Sequence, residues 1–178
     1  NEAFEKAAHV TTLELKNPMT AQNWRHAVTQ YKNDRDPSDL IFQFKKRTLV
    51  HFAVDTDEVY MTTRLSGKST RFLPFNRGCG GGAGNPENPG GYKTAYLWEA
   101  VLERHSFLDI LARFIHLQIE EKKLGGKRIK KETMIFPRYH QLDCVRKLVA
   151  DARERGTGTN YLIRSEERRV GKECATGC

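Results

Sequence analysis

The chain has 178 residues, 38% of them hydrophobic and 29% charged. That composition suits a soluble globular protein of one compact domain, or one domain and part of another, and no apolar run approaches the ~20 residues of a membrane span. With 30 Lys+Arg against 22 Asp+Glu the net charge is +8, which favours a polyanionic partner, nucleic acid ahead of a membrane surface.

Residues 9–15 read as a strand. Leu13-Glu14-Leu15-Lys16 alternates apolar and charged side chains and ends at Asn17-Pro18. Alternation along a strand puts Glu14 and Lys16 on one face and Leu13 and Leu15 on the other, where the leucines are expected to pack on a core. A carboxylate beside an ammonium suits a site for a divalent metal and a phosphate. The carboxylate binds the metal, and the ammonium positions water or stabilises charge on the phosphate. On spacing alone, a surface strand with an ion pair worth ~0–1 kcal/mol is the simpler reading.

Residues 20–33 read as a helix with Trp24, Ala27, Val28 and Tyr31 on one face. After a turn at 34–38, Leu40-Ile41-Phe42, residues 49–54 and residues 59–63 read as strands. The order of elements predicts an α/β domain with a mixed sheet. Residues 76–91 are rich in glycine, asparagine and proline. Without a following Gly-Lys-Ser/Thr they read as a loop and not as a phosphate cradle.

Helices are expected at about 94–103 and 106–117, the second strongly apolar and buried. Residues 120–131 are basic and glycine-interrupted, which predicts a solvated linker. Phe136-Pro137-Arg138-Tyr139-His140-Gln141 leads into an amphipathic helix with Leu142, Val145, Val149 and Ala152 on one face. Asn160-Tyr161-Leu162-Ile163 reads as a short buried strand. Residues 164–178 have no apolar period and read as disordered or foreign, a sequencing or cloning scar. Gly171-Lys172 there is followed by Glu173 and not by Ser or Thr. Cys79, Cys144, Cys174 and Cys178 lack a CxxC spacing. Cys174 and Cys178 could pair or share a metal, but free thiols in a cytoplasmic protein are the expectation. The chain opens on Asn1 and enters a strand within about ten residues, which reads as a fragment.

Taken together, several segments in one order give the chain a family likeness. They are Glu14-Leu15-Lys16-Asn17-Pro18, Tyr31-Lys32-Asn33-Asp34, Phe75-Asn76 with the glycine-rich run after it, Gly91-Tyr92-Lys93-Thr94-Ala95-Tyr96-Leu97-Trp98-Glu99, Leu108-Asp109-Ile110-Leu111 and the Phe136 to Gln141 segment. From about residue 9 to residue 163 the chain resembles the restriction subunit of type I restriction-modification enzymes. In that family a nuclease domain of the PD-(D/E)xK type precedes two RecA-like motor domains.

The resemblance implies a nuclease-like mixed sheet flanked by helices over residues 1–120, with its first strand and the Asp of that strand missing. A charged linker over 121–133 follows, then the opening helix and strand of a RecA-like domain over 134–163. It implies that Glu14 is a metal-binding catalytic carboxylate and Lys16 the catalytic lysine. Tyr31 fits the tyrosine of a Gln-x-x-x-Tyr pair, although Ala27 stands at the glutamine position and Gln30 lies out of phase. Phe136, Arg138 and Gln141 belong to the adenine-reading segment, with Gln141 on the adenine edge and Phe136 or Tyr139 packed nearby.

The implied cofactors are Mg²⁺ and ATP. The implied partners are double-stranded DNA and the methyltransferase and specificity subunits, with target recognition belonging to the partner subunits. The chain departs from the pattern twice. Residues 1–8 contain no Asp, with Glu2 and Glu5 poor substitutes, and no phosphate loop follows Ile163. The chain alone is therefore expected neither to cleave DNA efficiently nor to hydrolyse ATP. The competing expectation is a catalytically inactive basic module that binds DNA or docks a subunit through residues 106–117 and 122–131.

Overall fold

The computed structural model describes residues 10–124, 127–156 and 158–163. Thr11–Leu15 (β1), Val50–Val54 (β2), Val59–Thr62 (β3) and Leu73–Pro74 (β4) form a mixed four-stranded sheet in that order. β1 and β2 are parallel, with Thr11 opposite Val50 and Leu15 opposite Val54. The pairs β2–β3 and β3–β4 are antiparallel. Parallel neighbours need a crossover, and this one carries the helix Trp24–Asn33 (α1).

Asn23 starts α1. Its Oδ1 accepts from Arg25 N–H at 3.0 Å, and its own N–H donates to His26 Nδ1 at 3.1 Å, so two otherwise orphaned donors are satisfied. Asp55 ties the same helix end to the sheet. Its Oδ2 accepts from Trp24 N–H at 2.9 Å, while its Oδ1 accepts from Asp57 and Glu58 N–H at 2.8 Å each and closes the β2–β3 turn.

The sheet has two apolar faces. Ala53 on β2 packs with Ala27 and Tyr31 of α1 and with Leu65. Val50, Phe52 and Val54 face the larger core with Phe75, Leu97, Ile110, Phe136 and Leu142. Phe52 meets Phe75 and Phe136 edge-on, at 5.5 and 5.9 Å between ring centroids, a favoured aromatic geometry. The glycine-rich loop is pinned by two asparagines. Asn85 Nδ2 donates to Asp57 O at 2.8 Å and to Asn76 Oδ1 at 2.9 Å, and Asn76 Oδ1 also accepts from Val59 N–H.

Several expectations are corrected. Leu40 to Phe42 form no strand: Phe42 N–H bonds back to Asp39 O at 2.8 Å, and Ser38 N–H to Asp36 Oδ1, so local turn bonds win over the ladder. Leu13 and Leu15 are 36% and 63% exposed, because β1 is the edge of the sheet and has no second strand partner among the described residues. The helix expected over 94–103 is present but shorter and wider, a π-helix over Leu97–Val101.

The second helix, Arg104–Arg113 (α2), starts early because Glu103 caps Ser106 N–H at 2.9 Å. It buries Ile110 but leaves Leu108 46% exposed, so it is not the buried helix anticipated. The anticipated linker is instead an antiparallel hairpin, His116–Leu124 (β5) with Lys127–Ile135 (β6). Opposite charges face each other across it: Glu120 opposite Lys131, and Glu121 opposite Lys130 with an ion pair at 3.4 Å. Cross-strand pairs of this kind favour a ladder. Thr63 Oγ1 donates to Met134 O at 2.8 Å, and Lys45 pairs with Glu132; both tie the hairpin to the body.

The last helix, Tyr139–Arg155 (α3), puts Leu142 into the larger core but leaves Val145, Val149 and Ala152 exposed. Asn160 to Ile163 form no strand, and Leu162 is 96% exposed. A strand needs a neighbour for its backbone groups, and none lies alongside among the described residues. Residues 1–9, with Glu2 and Glu5, and residues 164–178, with Gly171-Lys172, Cys174 and Cys178, lie outside the described residues.

The aromatic cluster sets the stability of this body. Phe75→Ala is expected to destabilise the fold by ~3–5 kcal/mol, read as a lower urea midpoint. Leu108→Ala, on the half-exposed face of α2, is expected to change it far less.

Candidate functional site

Thr12, Glu14 and Lys16 lie on the face of β1 that α1 covers. Each is held from the crossover. The Glu14 carboxylate accepts from Arg35, with Nε at 2.8 Å and a second guanidinium nitrogen making the ion pair. Lys16 Nζ donates to Gln30 Oε1. Tyr31 sits beneath, 1% exposed, with its hydroxyl 2.8 Å from Thr12 Oγ1 and donating to Phe52 O at 3.3 Å.

Tyr31 thus supports the strand through Thr12 and Phe52 O. Burial raises its pKa well above the ordinary phenol value and keeps it protonated. Thr12 Oγ1 is also 2.8 Å from His51 Nδ1. His51 is buried, and desolvation pushes its pKa down to about 4. A neutral imidazole can accept from the Thr12 hydroxyl; an imidazolium cannot.

Glu14 and Lys16 therefore share one face, as the strand alternation requires, and α1 brings Tyr31 beneath it. Two partners are additions. Gln30 is one residue out of phase with Tyr31, yet the length of the lysine side chain lets it reach Lys16. Arg35, beyond the end of α1, had no local signal, because its pairing with Glu14 depends on the crossover.

A metal ion of the Mg²⁺ type needs several oxygen donors in one place. Among the described residues no group of three His, Cys, Asp or Glu could hold one, and Glu14 is already engaged by Arg35. The described residues by themselves do not fit a Mg²⁺ site.

Phe136, Arg138 and Gln141 line one cavity of about 310 Å³, together with Thr62, Arg71 and Met134. Phe136 is 5% exposed within the larger core, so its ring faces are not open for stacking on a base. Tyr139 packs edge-on against Tyr96 at 5.0 Å. Gln141 Oε1 accepts from Arg138 N–H at 3.0 Å and closes the start of α3. No glycine-rich phosphate loop adjoins this cavity among the described residues, which by themselves do not make an ATP site.

A second cavity, about 200 Å³, opens at the carboxyl ends of the parallel strands β1 and β2 and is lined by Leu15, Lys16, Asn17, Val54, Tyr92 and Trp98, among others. No family model matches the chain, and no curated protein and no solved structure matches it. No helix among the described residues is long and apolar enough to cross a membrane.

The buried imidazole makes a pH test possible. Its folded pKa lies below the unfolded value of 6.5, so unfolding takes up a proton. The contribution is full above pH 6.5 and is lost as pH falls towards 4. The chain is expected to lose roughly 3 kcal/mol over that window through this group. His51→Gln should flatten that part of the stability–pH curve, measured by urea denaturation at pH 7.5, 6.0 and 4.5.

Proposed function

We propose that this chain is a portion of the nuclease domain of a type I restriction subunit, a cytoplasmic ATP-driven DNA endonuclease, leading at α3 into its RecA-like motor. It acts on double-stranded DNA with methyltransferase and specificity subunits. The observation that carries this reading is the arrangement of Glu14 and Lys16. They share one face of an edge strand, and the crossover that follows that strand holds both, Lys16 through Gln30 of α1 and Glu14 through Arg35 beyond its end. A net charge of +8 and the ordered sequence likeness over residues 9–163 support it further.

In this reading Lys16 is the residue that meets the DNA backbone. Gln30 holds the ammonium by a hydrogen bond, and the ammonium pairs with a phosphate oxygen and stabilises charge building there. Tyr31, Thr12 and His51 hold the strand beneath it. Glu14 is one carboxylate of a set that the described residues do not complete. No cleavage or nucleotide step is therefore assigned to these residues alone.

One observation favours a second reading, a basic module that binds DNA without cutting it: Arg35 pairs with the Glu14 carboxylate and neutralises it.

Lys16→Ala separates the readings. Under both, the chain binds duplex DNA with an affinity that falls steeply with salt. The variant should weaken binding uniformly across sequences and lower the salt slope by about 1, measured by fluorescence anisotropy from 50 to 200 mM salt. An assembled enzyme carrying Lys16→Ala should still bind but lose cleavage. Retention of full cleavage would leave the binding module as the only reading. If the chain does not bind duplex DNA at all, both fail.

A further inference from the structure

We propose that the crevice at the carboxyl ends of β1 and β2 is a stacking site for one unpaired nucleobase, with the phosphate of that nucleotide on the Lys16 side of the rim. The inference rests on the DNA reading above and adds a ligand that a duplex-backbone contact does not require.

Four observations carry it. First, the crevice lies outside the carboxyl ends of two parallel strands, where side chains and loops diverge and open α/β sheets bind their ligands. Second, its walls include two large aromatics left in solvent, Tyr92 at 56% and Trp98 at 42% exposure. They stand edge to face, 6.5 Å apart at 75°, so an open ring face remains for a third planar group. Leu15, 63% exposed, and Val54 add apolar wall. The edge leucine that fails to reach the core thus lines this crevice.

Third, the polar groups at the rim suit a base and its phosphate. Lys16 stands at the rim with its ammonium held by Gln30 on the α1 side, and Asn17 offers its side-chain N–H₂, its Oδ1 already accepting from Met19 N–H at 2.9 Å; the Asp55 carboxylate that also lines the crevice is taken up by Trp24, Asp57 and Glu58 N–H. Fourth, a volume of about 200 Å³ is smaller than the roughly 300 Å³ at which sites for drug-sized ligands begin. It suits a single base and not a whole dinucleotide. An anionic ligand with a flat aromatic part answers the charge and the rings at once. Stacking tolerates every base, so the site is expected to show little sequence preference.

The test uses the full chain and a labelled single-stranded oligonucleotide, beside the duplex of the same sequence, by anisotropy at fixed low salt. Trp98→Ala and Tyr92→Ala should each weaken single-strand binding by about 5- to 100-fold and change duplex binding much less, while Trp98→Phe should keep single-strand binding. A wild-type measurement with abasic sites in the oligonucleotide guards against misfolded variants: it should show the same loss. If neither the abasic strand nor the aromatic variants bind more weakly, while Lys16→Ala weakens both DNA forms, the stacking site is refuted and the DNA reading stands. If the wild-type chain binds neither form, the DNA reading itself fails and the inference falls with it.

Discussion

Because β1 and β2 run parallel, the chain between them has to cross a face of the sheet, and it crosses as α1. That crossing places Gln30, Tyr31 and Arg35 under the face of β1 that carries Thr12, Glu14 and Lys16. Each contact at the site follows from it: the guanidinium on Glu14, the amide on Lys16, and the phenol shared between Thr12 and Phe52 O. Asp55 fastens the arrangement by holding the amino end of α1 and the β2–β3 turn with one carboxylate.

The two faces of β1 do different work. The charged face is held and half-covered by the crossover. The apolar face lies at the edge of the sheet, where Leu13 and Leu15 stay in contact with water and Leu15 becomes part of a crevice wall. In the proposed reading, an edge strand with one polar and one apolar face lets a single short segment offer a charge for phosphate and a surface for a planar ring. The larger core lies behind β2 and takes in Phe136 and Leu142, so the segment leading into α3 is packed onto the same body as the sheet.

The parts of the fold legible in the sequence are those with a strong local period. β1, α1, β2 and β3 show alternation or i, i+4 spacing, and the glycine-rich run has no competing pattern. Glu14 and Lys16 were legible as a pair because strand alternation alone puts them on one face. The hairpin was not: a run of like charge reads as solvated chain until its Glu120 and Glu121 are seen opposite Lys131 and Lys130 on the returning strand. Leu13 and Leu15 misled because alternation tells which side a residue faces and not whether anything covers that side. Asn160 to Ile163 misled in the same way, since an apolar run forms a strand only beside another. Arg35 and Gln30 needed the crossover, which no local window contains.

In the proposed function, the carboxyl end of β1, framed by α1, is where this protein meets DNA. The most direct measurement is an amide NMR titration of the isotopically labelled chain with a short duplex. The account predicts that the largest shifts fall on Leu15, Lys16 and Asn17 and on Gln30 and Tyr31 of α1. Shifts confined to the β5–β6 hairpin, with β1 and α1 unmoved, would contradict it.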